Sequence, residues 1–289
     1  MKRFTIQIIL VFFAFLANAY LSSLSVLAAS KENFDEIHNI VESIDSVQTY
    51  HARLKVNLFA PSSKGFDPEH TIDSETEIYG ETGKRMNIKT NLQMDELGSV
   101  TEWRQIFDTN NLWVQTRVRK INTDEILKTK VVKINIQSTS SDIKNKPFET
   151  IYWLSGIGIF KYKDLPGTLY QILYDYNFDK GYKYEFSNHI VFHGLRKSNE
   201  KLQKLGIDDD SLKEFLELST RFSAIWVAKD TGLIDEYSIG ESDKRPYIHT
   251  KITYISVNKE IPDHIFIYKP PEGVLVEDIT SSLLEMNNN

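Results

Sequence analysis

The alternation in residues 49–58 leaves this chain few ways to fold. In TYHARLKVNL, Tyr50, Ala52, Leu54, Val56 and Leu58 fall on one side of an extended chain, and His51, Arg53, Lys55 and Asn57 on the other. Strand side chains alternate between faces, so such a segment is satisfied only with one face dry and one wet. A lone strand cannot provide that, and it needs paired neighbours.

The neighbours are legible. SETEIYGETGKRMNIKTNLQM (74–94) reads as two strands about a turn near Gly80–Gly83, with Met86, Ile88, Leu92 and Met94 on one face of the second. EWRQIFDTNNLWVQTRVRK (102–120) reads as two strands about Asp108-Thr109-Asn110-Asn111, which are turn residues. KTKVVKINIQS (128–138) puts Val132, Ile134 and Ile136 together. Strands return in 181–197, in 221–240 about the hairpin turn Asp230-Thr231-Gly232, and in 247–258. HIFIYKPPEGVLV (264–276) alternates like a late edge strand, ending in a corner at Pro270-Pro271 and Gly273. Pro61 to Glu69 reads as a loop. Strands at this spacing, joined by short turns, point to a barrel or strongly curved sheet.

Helices punctuate the pattern. Phe34, Ile37, Ile40, Val41, Ile44 and Val47 recur at three and four, which marks an amphipathic helix over 32–47. A second follows Pro166, through Leu169, Ile172, Leu173 and Tyr176. A third is expected over 199–220, where Ser211 and Glu214 form a capping box behind Asp208–Asp210. Residues 142–168 read as irregular.

The first residues, Met1-Lys2-Arg3, precede an apolar run to about Ala29, the pattern of a secretory signal. Cleavage is expected near Ala28 to Ser30. The run is also nearly long enough to stay as an N-terminal anchor. Residues 1–29 are thus a signal peptide or anchor, and 30–289 a single domain exported to the periplasm or cell envelope of a bacterium. The net charge is −6, and Lys2 and Arg3 are the only charges before Ser30, so the remainder carries −8. That argues against a nucleic-acid partner. Cysteine is absent, which excludes disulfides, thiolate catalysis, zinc–cysteine sites and an acylated cysteine anchor.

Catalytic patterns are not found. Ser141-Asp142-Ile143-Lys144 matches Ser-x-x-Lys without its companion motifs. His189 and His193 are four apart, but on a strand that separates them by about 13 Å, so they read as half-exposed strand histidines rather than metal ligands. The chain is expected not to be an enzyme and to need neither cofactor nor metal. The surplus is apolar and aromatic, including Trp103, Trp113, Trp153 and Trp226. It fits a filled core or a curved sheet holding an apolar ligand.

The C-terminal third carries a resemblance. AIWVAKDTGLIDEYSI (224–239), HTKITYISVN (249–258) and IPDHIFIYKPPEGVLVED (261–278) resemble the periplasmic lipoprotein-carrier superfamily, LolA/LolB-like. Trp226, Asp230, Gly232 and Asn258 match, as does the F-x-F-x-P-P-x-G-V corner at Phe266, Tyr268, Pro270, Pro271, Gly273 and Val274. IFDTNNLWVQ resembles a second family motif through Asp108, Leu112 and Trp113, with Thr109 where glycine is usual. GKRMNIKT sits where the family has F-R-W, with Arg85 as the arginine and Met86 replacing the aromatic. The resemblance implies an α+β fold, an incomplete, half-open antiparallel β-barrel wrapped over a few helices, with 199–220 as extra helix. It implies a cavity for acyl chains of lipoproteins or other lipids, with Met86, Ile88, Leu92 and Trp113 as candidate lining residues and Arg85 as a candidate for shaping the pocket or its mouth. The alternative is an envelope sensor or regulator on the same fold, recognising lipoproteins or a membrane protein partner.

Overall fold

A computed structural model describes residues 33–62, 65–94, 98–121, 123, 125–136, 165–179, 181, 183–197, 221–242 and 245–281. The leader, the Ser-x-x-Lys match, nearly all of the irregular stretch at 142–168, the capping box and the helix expected at 199–220 lie outside the described residues. The chain divides into two compact units, one of residues 1–47, 57–71 and 157–252 and the other of 48–56, 72–156 and 253–289. The fold is α+β, and its sheet is incompletely closed.

The first unit holds helices α1 (Phe34–Asp45) and α2 (Leu165–Asp175). Its strands are β7 (Tyr176–Asn177), β8 (Lys183–Glu185), β9 (His189–Arg196), β10 (Phe222–Ala228), β11 (Ile234–Ser242), most of β12 (Arg245–Val257), and residues 57–62 and 65–71 of two strands that continue into the second unit. Strands β7 to β12 run in the order β12-β11-β10-β9-β7, with β8 also on β9. The helical period buries Ile40 and Ile44 of α1 and Leu169, Ile172 and Leu173 of α2. The helices meet where the Tyr170 hydroxyl donates to the Val41 carbonyl at 3.4 Å and to the Asp45 carboxylate. The turn expected at Asp230-Thr231-Gly232 is present, and Gly232 takes φ +68°. A Cβ there would also lie 2.6 Å from Ser43 Oγ of α1, which would have to turn aside, so the positive φ is what favours glycine.

Of the two strand histidines expected to be half-exposed, one differs. His189 is half-buried, 2.8 Å from Asp235. His193 is buried, not half-exposed, because Tyr184 of β8 stacks on its ring at 5.1 Å and Phe222 flanks it at 5.3 Å.

The second unit follows the order β13-β6-β5-β4-β3-β2-β1-β12. Its strands are β3 (Arg85–Met94), β4 (Ser99–Phe107), β5 (Asn111–Lys120), β6 (Ile126–Asn135), β13 (Val276–Asp278), and parts of β1 (Thr49–Ser62), β2 (Gly65–Glu81) and β12. The stretch expected as a loop, Pro61–Glu69, is mostly strand: β1 runs to Ser62 and β2 starts at Gly65, with Pro68 inside it. Asn258 caps the entry to β1: at φ +54° its Oδ1 accepts from Gln48 N at 2.8 Å, while its own N donates to the Thr49 carbonyl.

The largest correction concerns residues 264–276, which form no edge strand. Asp263–Phe266 is a single 3₁₀ turn, the chain then runs irregularly past Pro270-Pro271, and Gly273 turns at φ +75°. Only Val276–Asp278 pairs, and it pairs parallel to Val131–Lys133 of β6. The apolar alternation has another cause. The segment lies as a strap on one face of the sheet, burying Phe266 and Tyr268 and leaving Ile267 outside.

Candidate functional site

Residues directly opposite one another in a ladder share a face, so the register sorts the candidate residues. On one face lies the row Gly80, Met86, Phe107, Leu112, Ile134. Beside it run Ile78, Ile88, Gln105, Val114, Val132, and then Thr76, Thr90, Trp103, Thr116, Lys130. Leu92 follows, opposite Ser74 and Thr101. On the other face lie Asn87, Ile106, Trp113 and Lys133, then Lys89, Arg104, Gln115 and Val131.

The five candidate ligand-binding residues therefore stand on two faces. Met86, Ile88 and Leu92 share the first, where they are 1 %, 1 % and 5 % exposed. Arg85 and Trp113 stand on the second, beneath the strap. Alternation within β3 alone separates Arg85 from Met86. The position of Trp113 depends on the cross-strand register, which the sequence does not display.

The strap face is polar and specifically held. Asn87 Nδ2 donates to the Ile265 carbonyl at 2.6 Å. Tyr268 enters a cluster with Ile106, Val131, Trp113, Val274 and Val276, its ring 5.1 Å from that of Trp113. Its hydroxyl donates to Gln115 Oε1 at 2.7 Å, and burial pushes the phenol above its ordinary pKa. The Lys133 ammonium lies 5.4 Å from the Trp113 ring centroid. Arg85 grips three groups: Nε donates to Glu81 Oε2 at 3.0 Å, a terminal nitrogen donates to Asp263 at 2.8 Å, and the guanidinium lies 4.5 Å over the Phe266 ring. Those bonds hold the Glu81 carboxyl below the ordinary carboxylate range. Here Arg85 clamps the strap to the turn between β2 and β3.

The first face is apolar, with a polar island that sequence inspection missed. Thr76 and Thr90 share a hydroxyl hydrogen bond of 2.9 Å across β2 and β3. Gln105 is 1 % exposed, and its Nε2 has no hydrogen-bond partner among the described residues, nor does Ser74 Oγ. The signal was present in WRQIF: Gln105 occupies the inward phase between Trp103 and Phe107, where an apolar residue is expected. At Gly80 the same face meets Tyr50, whose ring leaves no room for a Cβ.

No group of three or more histidine, aspartate or glutamate side chains could hold a metal among the described residues. Nor is any helix there long and apolar enough to cross a membrane.

Comparison with protein-family models gives no match, and comparison with curated proteins gives none. Solved structures give distant similarities. An uncharacterised conserved protein from Thermus thermophilus is 9 % identical with a TM-score of 0.38, over 85 % of this chain and 99 % of that one. A DUF1329 family protein from Desulfovibrio piger is 11 % identical with a TM-score of 0.30, over 83 % and 98 %. A putative outer membrane lipoprotein-sorting protein domain from Vibrio parahaemolyticus is 8 % identical with a TM-score of 0.27, over 80 % and 95 %.

Proposed function

We propose that this chain is an exported protein of the bacterial cell envelope that holds acyl chains on the first face of β2–β6, and that it carries lipids or lipoproteins rather than transforming them. The observation behind this reading is the continuity of that face. Met86, Phe107, Leu112 and Ile134, with Ile78, Ile88 and Val114 beside them, extend it across five strands of an open sheet around the polar island at Gln105. A hydrocarbon chain needs a surface of that kind and no reactive group. The leader and the motif resemblance supply the compartment and the ligand class. The face is closed in this structure, so uptake requires rearrangement around it.

The test is native mass spectrometry of the full chain after export from a bacterial host, with solvent extraction of the same sample. The expected result is co-purified acyl lipid that a fluorescent acyl probe displaces. An apo mass with no probe uptake contradicts the reading.

A further inference from the structure

Gln105 is the feature that acyl binding alone leaves unexplained. A purely apolar ligand would favour an apolar residue at this position, because a buried donor without an acceptor is destabilising. We infer that the Gln105 amide anchors the ligand's head, and that the ligand is a neutral acyl ester or acyl amide. Its carbonyl oxygen accepts from Nε2 while the hydrocarbon lies along Met86, Ile88, Val114 and Val132. The inference rests on the acyl-binding reading above and adds the chemistry of the ligand's polar end.

Two observations select a neutral carbonyl. Gln105 is flanked on the neighbouring strands by Ile88 and Val114, which cannot hold a bridging water in place of a ligand. In its own row and the row on either side, Lys130 is the one cation among the described residues, and it is paired with Glu277 at 3.0 Å. A free carboxylate or phosphate beside Gln105 would be buried without a counter-charge, which is far more costly than burying an ester. Thr76 and Thr90 spend their hydroxyls on one another, so neither is available to the Gln105 amide, which stays without an acceptor among the described residues.

The experiment titrates the full exported chain with monopalmitoyl glycerol, palmitate, hexadecane and 1-O-hexadecyl glycerol. The last of these lacks only the carbonyl. The ester is expected to bind about tenfold more tightly than the ether or palmitate, the worth of roughly one buried hydrogen bond. Gln105→Met, of similar volume and with no donor, is expected to lose that preference, to keep hexadecane affinity and to melt no lower than the wild type. Equal affinity for ester and ether in the wild type overturns the inference while leaving acyl binding intact. So does full ester preference in Gln105→Met. Binding of none of the four by the wild type overturns acyl binding as well, and the two failures are thereby told apart. The ester–ether comparison needs no variant, so it stands if Gln105→Met does not fold.

Discussion

At the scale of single residues, two positions carry measurable consequences. Arg85 joins the β2–β3 turn to the strap through Glu81, Asp263 and Phe266, with its own side chain about three-quarters buried. Arg85→Ala should cost about 1–3 kcal/mol in urea unfolding, because the hydrogen bonds are charge-assisted and the ring contact is lost with them. Arg85→Lys should recover only part of this, since an ammonium lacks the planar fork. The pH dependence has a definite sign. Glu81 has a folded pKa below its ordinary value of 4.5, chiefly through the Arg85 hydrogen bonds. Its contribution is therefore fully present above about pH 4.5 and is lost as the pH falls through the folded value. Arg85→Ala should flatten that part of the stability–pH curve, and equal acid dependence in variant and wild type would refute the clamp. Thr109 sits at φ +79°, where its branched side chain is strained. The turn holds because Asp108 Oδ1 accepts from Asn110 N at 3.0 Å and Asn111 N at 2.7 Å. Thr109→Gly should relieve the strain and raise stability by about 0.5–1 kcal/mol, or about 1–2 °C in Tm for a chain of this length. A fall in Tm would mean that the threonine side chain makes a contact worth more than the strain.

At the scale of elements, the strap divides what the sequence reveals from what it hides. The pairs of strands about Gly80–Gly83 and Asp108–Asn111 were legible, since Gly83 supplies the positive φ of the first turn, the Asp108 carboxylate braces the second, and the strands alternate. The strap was legible only as an oddity, two prolines in an alternating run. Alternate burial of Phe266 and Tyr268 has the same period as a strand, but it comes from a chain laid across a sheet. Period alone cannot distinguish pairing at an edge from packing on a face. The site was legible to the same degree. Alternation groups Met86, Ile88 and Leu92 correctly, whereas Trp113 and Tyr268 meet from distant parts of the chain, a contact that no local pattern encodes. If the strap is held as described, Tyr268→Phe leaves Gln115 Oε1 without its donor and should cost about 1–2 kcal/mol. Hydrogen exchange should rise in residues 259–278 ahead of β3–β5. Uniform acceleration across the sheet would show that strap and strands open as one.

At the scale of the molecule, the α+β class follows from short-range signals: two helical periods and a succession of alternating segments. The division into two units, with β1, β2 and β12 each contributing residues to both, does not. Those strands read as continuous, and nothing in their composition marks the crossing points. The functional account is correspondingly concentrated in the second unit. There one sheet presents an apolar face with a buried amide and a polar face sealed by its own C-terminal strap. The separation predicts where a ligand goes. A photoreactive acyl probe, cross-linked to the full exported chain and mapped by peptide mass spectrometry, tests it directly. Adducts should fall on Met86, Ile88, Val114 and Val132 and be suppressed by unlabelled ester. Adducts confined to exposed side chains such as Leu275, or spread without competition, would show that this face is only core, and the account would fail at its centre.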